Sequence, residues 1–99
     1  MRQTYKYAVL DTVYTVWLDK STYANGRVAL LLMDNEGGQV ACATVNLPEH
    51  DIQPNEIIVK TWSENEGMLE FLIRNRICAD TGREIATGFV KARVCKLLI

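Results

Sequence analysis

The chain has 99 residues, of which 48% are apolar and 23% charged, with a formal net charge of −1 at pH 7. That is the size of one domain, residues 1–99, with enough apolar residues for a core that needs neither metal nor disulfide. The balance excludes a disordered, highly charged tail, and the longest apolar run, residues 28–33, is far short of the roughly 20 residues of a membrane-spanning helix. The opening Met1-Arg2-Gln3-Thr4-Tyr5-Lys6 lacks the apolar stretch of a signal peptide. Cys42, Cys78 and Cys95 are odd in number and irregularly spaced, which reads as reduced thiols in a cytoplasmic protein rather than a disulfide framework.

From Thr4 to Leu18 the chain is rich in tyrosine, valine and threonine, the composition of strands, with Asp11 as a turn, a bulge or a mid-strand residue. Residues 19–26 read as a loop ending in Asn25-Gly26. Arg27 to Asp34 is a nearly continuous apolar strand, Asp34-Asn35-Glu36-Gly37-Gly38 a hairpin turn, and Gln39 to Leu47 the returning strand. Pro48 and Pro54 bracket a connector, because neither suits a central strand. Glu56 to Lys60 is a short β-branched strand running into Trp62-Ser63-Glu64-Asn65-Glu66.

Ser63 and Glu66 have the spacing of a capping box. Met68, Leu69, Leu72, Ile73 and Ile77 follow as an apolar stripe, predicting one helix over about 64–77 that packs on one face of a sheet. Gly67 is costly inside a helix, so it marks close packing or a functional approach. The helix should stop before Asp80-Thr81-Gly82, with Arg83 to Thr87 as a loop or short strand. The last strand then places Val90, Ala92 and Val94 on one face and Lys91, Arg93 and Cys95 on the other. The expected fold is α+β: an antiparallel sheet of about five to six strands with a single helix, in the order β-β-β-β-(β)-α-β.

Motifs with chemistry are sparse. His50, the single histidine, sits between Glu49 and Asp51 with no partner at metal-ligand spacing. No cysteine lies at a helix start, where a thiolate would be favoured. Glu64, Glu66 and Glu70 read as first-turn acids that complement a helix dipole. No phosphate-binding glycine loop, nucleophile elbow or paired-cysteine motif is present. Neither catalytic residues, nor a cofactor, nor a metal site is expected. Tyr5, Tyr7 and Tyr14 on adjoining strands read as sheet-face packing, since the acidic surroundings would repel a nucleic-acid backbone.

Charge is unevenly placed. Residues 1–73 hold five basic and ten acidic groups, a net of −5, while residues 74–99 hold six basic and two acidic groups, a net of +4. Such asymmetry marks a face for an acidic partner or simply solvated side chains gathered at one end. Arg74, Arg76, Arg83, Lys91 and Arg93 are the candidate partner-binding residues.

The run Trp-Ser-Glu-Asn-Glu-Gly-Met-Leu at 62–69, followed by Thr81-Gly82-Arg83, Thr87-Gly88-Phe89-Val90 and Val94-Cys95-Lys96-Leu97, resembles an uncharacterised family of small proteins. Its members are carried by phages and conjugative elements of gut bacteria. The resemblance covers residues 60–97 and implies an accessory protein of a mobile element, with no activity or cofactor to carry over. The expectation is a small non-catalytic protein that binds a host or element-encoded macromolecule, most simply a protein. Nucleic-acid binding through the basic C-terminal portion, inhibition of a host defence component, and homodimerisation through a sheet edge are the alternatives.

Overall fold

In the computed structural model, which describes residues 2–99, strands dominate. The strands are β1 (Tyr5–Val9), β2 (Thr12–Thr22), β3 (Val28–Met33), β4 (Gln39–Cys42), β5 (Glu56–Val59), β6 (Cys78–Thr87) and β7 (Val90–Leu97). A single helix, α1 (Met68–Arg74), lies between β5 and β6. The architecture is α+β and antiparallel, as expected, but the strands form two sheets rather than one. The first runs β1-β2-β3-β4 and the second β5-β7-β6.

The division has a physical cause in the lengths of the pairings. The 11-residue β2 pairs its first half with β1 and its second half with β3. Beyond β4, the chain touches β5 through one isolated bridge, Thr44 with Val59. Around that bridge Ala43 N donates to Leu30 O (2.8 Å), Lys60 N to Ala43 O (2.9 Å) and Val45 N to Ile58 O (3.0 Å). Residues 43–45 thus stitch the two sheets edge to edge. The Thr44 hydroxyl is buried there, accepting from Leu30 N and sharing a hydrogen bond with the Tyr23 hydroxyl (2.9 Å).

Leu10 and Asp11 form a two-residue connection, and β1 and β2 pair directly from Val9 opposite Thr12 to Tyr5 opposite Val16. Asp11 therefore belongs to a hairpin turn. The β3–β4 hairpin forms at the expected turn, although its returning strand ends at Cys42 instead of Leu47: the Asp34 side chain accepts from Glu36 N (2.9 Å) and Gly38 N (2.8 Å), holding the turn closed. Arg83 to Thr87, expected as a loop or short strand, is the second half of β6, which begins at Cys78 and runs through Asp80-Thr81-Gly82. Asp80 lies opposite Cys95 and Arg83 opposite Val94, so Thr81 and Gly82 bulge out of register. Gly82 has φ +81, Asp80 accepts from its N–H, and the Thr81 hydroxyl donates to Val94 O. The bulge reads in sequence as a turn because it is built from turn residues.

The helix is shorter than the pattern indicates. Ser63–Asn65 forms a 3-10 turn, and α1 begins only at Met68, behind Gly67 with φ +91. No side chain caps either segment, so the Ser63–Glu66 capping box does not form. Met68, Phe71 and Leu72 are buried while Ile73 faces outward. Ile77 is buried too, but it follows the reversal at Arg76 (φ +58) and is no longer helical.

Phe71 meets the rings of Tyr7 and Tyr5 edge-on, with centroids 4.9 and 6.2 Å apart. The main core joins these to Val16, Leu30 and Leu32 of the first sheet and Ile57, Val59, Cys78 and Cys95 of the second. A smaller cluster of Ile58, Ile85, Ala92 and Val94 covers the other face of the second sheet, under Leu47, Ile52 and Trp62. The second sheet is therefore packed on both faces at its centre.

Candidate interaction surface

The five basic residues marked by charge asymmetry do not share one face. Arg93 lies beneath an acidic pair, at 2.6 Å from Asp80 and 3.3 Å from Glu84. Its hydrogen bond to Asp80, with the charges of Asp80 and Glu84, holds the guanidinium more firmly charged against the opposing effect of burial, and the same bond holds the Asp80 carboxyl below the usual range. Arg83 alternates to the opposite face of the sheet, opposite Val94, and donates to the Asp51 carbonyl (2.6 Å). Arg74 and Arg76 lie exposed at the C-terminal end of α1, where positive charge suits the helix dipole. Lys91 is exposed near the start of β7.

The remaining reactive side chains are occupied in structure. Cys78 and Cys95 are buried on one face of the second sheet, and the Cys95 thiol is held protonated by its hydrogen bond to Cys78 and by burial. His50 is half-buried, with Nε2 3.8 Å from Glu49. Among the described residues no three histidine, cysteine, aspartate or glutamate side chains come together as a metal cage. No helix there is long and apolar enough to cross a membrane.

A different region stands out, at the end of the molecule formed by residues 60–67 and two hairpin tips. Leu10, at the β1–β2 tip, is 99% exposed, and Phe89, at the β6–β7 tip, is 109% exposed. Each is as open to water as in an extended peptide. Single exposed apolar residues are ordinary, but these two flank one connecting segment. Thr61 Oγ1 donates to Lys91 O (3.1 Å), two residues from Phe89. On the other side, Val9 and Leu10 form a groove of about 600 Å³ with Ser63, Glu64, Glu66 and Gly67. Val13 and Tyr14 extend the apolar exposure along the first hairpin.

The backbone around this groove is strained. Leu10 has φ +52 and Ser63 φ +55, two of the three non-glycine residues in the left-handed region among those described. With Gly67 (φ +91), three of the groove's six lining residues adopt it. Such conformations cost free energy and concentrate at functional sites.

The groove is acidic. Glu64 pairs with Lys60 at 2.6 Å, which lowers its carboxyl below the usual range. Glu66 is exposed and makes no ion pair among the described residues. Beside them, the Tyr7 hydroxyl is buried with no hydrogen-bond partner. Burial, followed by the field of Glu64, raises its pKa, so it stays a neutral phenol. Asn65, the last residue of the 3-10 turn, is 1% exposed and donates to Cys42 O (2.6 Å) and Lys60 O (3.1 Å). It ties the 3-10 turn that carries Ser63 and Glu64 to the joint between the sheets. Neither Leu10 nor Phe89 carries a motif that reveals its role in sequence. The signals available were a leucine beside the uncertain Asp11 and a phenylalanine directly after Thr87-Gly88.

Comparison of the chain with protein-family models, curated proteins and solved structures finds no significant match in any of the three.

Proposed function

We propose that this chain is a small non-catalytic interaction protein that binds another protein through the end bearing Leu10, Phe89 and the groove at residues 63–67. The observation that carries this reading is the pair of fully exposed apolar side chains at two hairpin tips, one tip beside Thr61 and the other beside residues 63–67 of the same segment. Nothing in the packing of the chain needs them there, and their exposure costs solvation in the free protein. Anchors of this kind gain their energy when a partner removes them from water. The resemblance over residues 60–97 supports an accessory protein of a phage or conjugative element, with a host or element-encoded partner. A nucleic-acid reading draws on the basic C-terminal residues, and the placement of Arg83 and Arg93 on opposite faces of the second sheet favours the protein partner.

The test is affinity capture from a gut-bacterial lysate with the wild-type chain and with the Leu10→Ser, Phe89→Ser double variant. Both changes lie on exposed turns, so circular dichroism should be unchanged. The expected result is one stoichiometric protein, resistant to nuclease, held by the wild type and lost from the variant. Equal capture by both chains, or capture that vanishes with nuclease, overturns the reading.

A further inference from the structure

We infer that the free edge of β1 is a strand-addition site, where an extended segment of the bound protein pairs with the backbone of Lys6 and Ala8 and runs on into the groove at residues 63–67. The inference rests on the reading of this end as a protein-binding surface, and it names the form in which the partner docks.

β1 is paired on one side only, with β2. Its register is unbroken from Tyr5 opposite Val16 to Val9 opposite Thr12. The two-residue turn makes Val9 and Thr12 a hydrogen-bonded pair, and the antiparallel alternation then directs the N–H and C=O of Lys6 and Ala8 away from β2. Both residues are exposed, and among the described residues these groups meet no backbone partner outside the hairpin.

The other sheet edges are closed or blunted. β4 and β5 are joined through residues 43–45. β6 carries the Thr81-Gly82 bulge, followed by the charged Arg83 and Glu84, and both devices discourage edge pairing. β1 has neither bulge nor proline. Its one charged residue, Lys6, sends its ammonium back across the hairpin to the Thr15 hydroxyl. A flat, undefended edge of this kind accepts an added strand through main-chain hydrogen bonds.

The groove decides what that strand belongs to. Its walls are Val9 and Leu10 on one side and Ser63, Glu64, Glu66 and Gly67 on the other, and no residue of β2 lines it. It therefore lies on the open side of β1, with residues 63–67 as its far wall. A single extended segment enters between these walls. A second copy of this chain would bring its own β2 beside its β1, where residues 63–67 already stand. On the core side of the edge Tyr5 and Val9 are only half-buried, so the docked segment carries apolar side chains at alternate positions to cover them.

The experiment follows amide hydrogen exchange by NMR on the intact chain, with and without acetyl-Lys-Thr-Val-Thr-Val-Thr-Lys-amide. In the free chain the Lys6 and Ala8 amides should exchange fast, and those of Tyr7 and Val9 slowly. Saturating peptide should slow Lys6 and Ala8 about tenfold or more and shift the resonances of residues 63–67. Ala8→Pro removes an edge donor without breaking a bond to β2, and should weaken peptide binding about tenfold; Ala8→Val should retain it. Of two peptides N-methylated at the valines or at the threonines, one should bind and the other fail, because only one set of amides faces β1. Lys6 and Ala8 amides already protected in the free monomer, shifts scattered over the surface, or no saturable binding at millimolar peptide overturns the inference. Protection that rises with protein concentration instead of peptide gives the edge to a second copy and also overturns it. A partner lost with Leu10→Ser, Phe89→Ser but indifferent to Ala8→Pro overturns strand addition and leaves the interaction reading standing.

Discussion

Asn65 shows how one buried amide ties several levels of the molecule together. It sits in a run of polar residues that reads as a helix surface, yet it is buried and bonded to the ends of β4 and β5 through Cys42 O and Lys60 O. No local sequence signal distinguishes it from its exposed neighbours Glu64 and Glu66, because its partners are 23 and 5 residues away. Asn65→Ala should lower unfolding free energy by about 2–3 kcal/mol in urea titration, the loss of two hydrogen bonds plus buried carbonyls left unpaired. A change within error would show that water replaces the amide at no cost. Asp80 offers a test by pH. Its carboxyl is depressed in the folded state by the bond to Arg93, so its contribution is complete above the unfolded value of about 4 and fades as pH falls through the folded value. Asp80→Asn should therefore unfold at lower urea than wild type at pH 7, by less than Asn65→Ala. The two curves should converge at pH below both values. A gap that persists in acid would assign the loss to the bulge geometry instead of the ion pair.

At the scale of elements, the β3–β4 hairpin was legible because an apolar run, a turn of Asp, Asn and Gly, and a returning strand all point the same way. The helix was legible in kind and wrong in extent. A capping box needs Ser63 in extended backbone, and here Ser63 adopts φ +55 while Gly67 turns the chain at φ +91 before α1 starts. The glycine, flagged by sequence as costly, is the residue that makes the short turn possible. A Cβ at Gly67 would meet no atom within 4 Å, so Gly67→Ala tests backbone conformation alone. It should cost about 1 kcal/mol, read as a lower urea midpoint; no change would mean that the turn relaxes freely. The same logic separates stability from function at the first hairpin. Leu10→Gly should stabilise the fold by about 0.5–1 kcal/mol by relieving the left-handed leucine, and should abolish partner capture. A variant that is less stable, or equally active, would remove the case for strain kept for binding.

For the whole molecule, composition and strand patterning yield the α+β antiparallel class, while the division into two sheets depends on how far β2 extends past β1 and on where residues 43–45 cross. Those are long-range pairings that one-dimensional patterns do not encode. Charge asymmetry along the chain does not translate into a single basic face, since alternation in β6 and β7 sends Arg83 and Arg93 to opposite faces and the latter pairs with acidic neighbours. Each sheet, moreover, is drawn from one uninterrupted half of the chain, residues 5–42 and 56–97, with the loop around Pro48 and Pro54 between. Cutting that loop would release two pieces, each keeping all its own strand pairings, that meet again through Phe71 against Tyr7 and through the stitch at Thr44 and Val59. The protein is thus suited to split-reporter work: co-expressed halves should reconstitute one native-like species, each useless alone, with the Asn65 amide serving as the clasp.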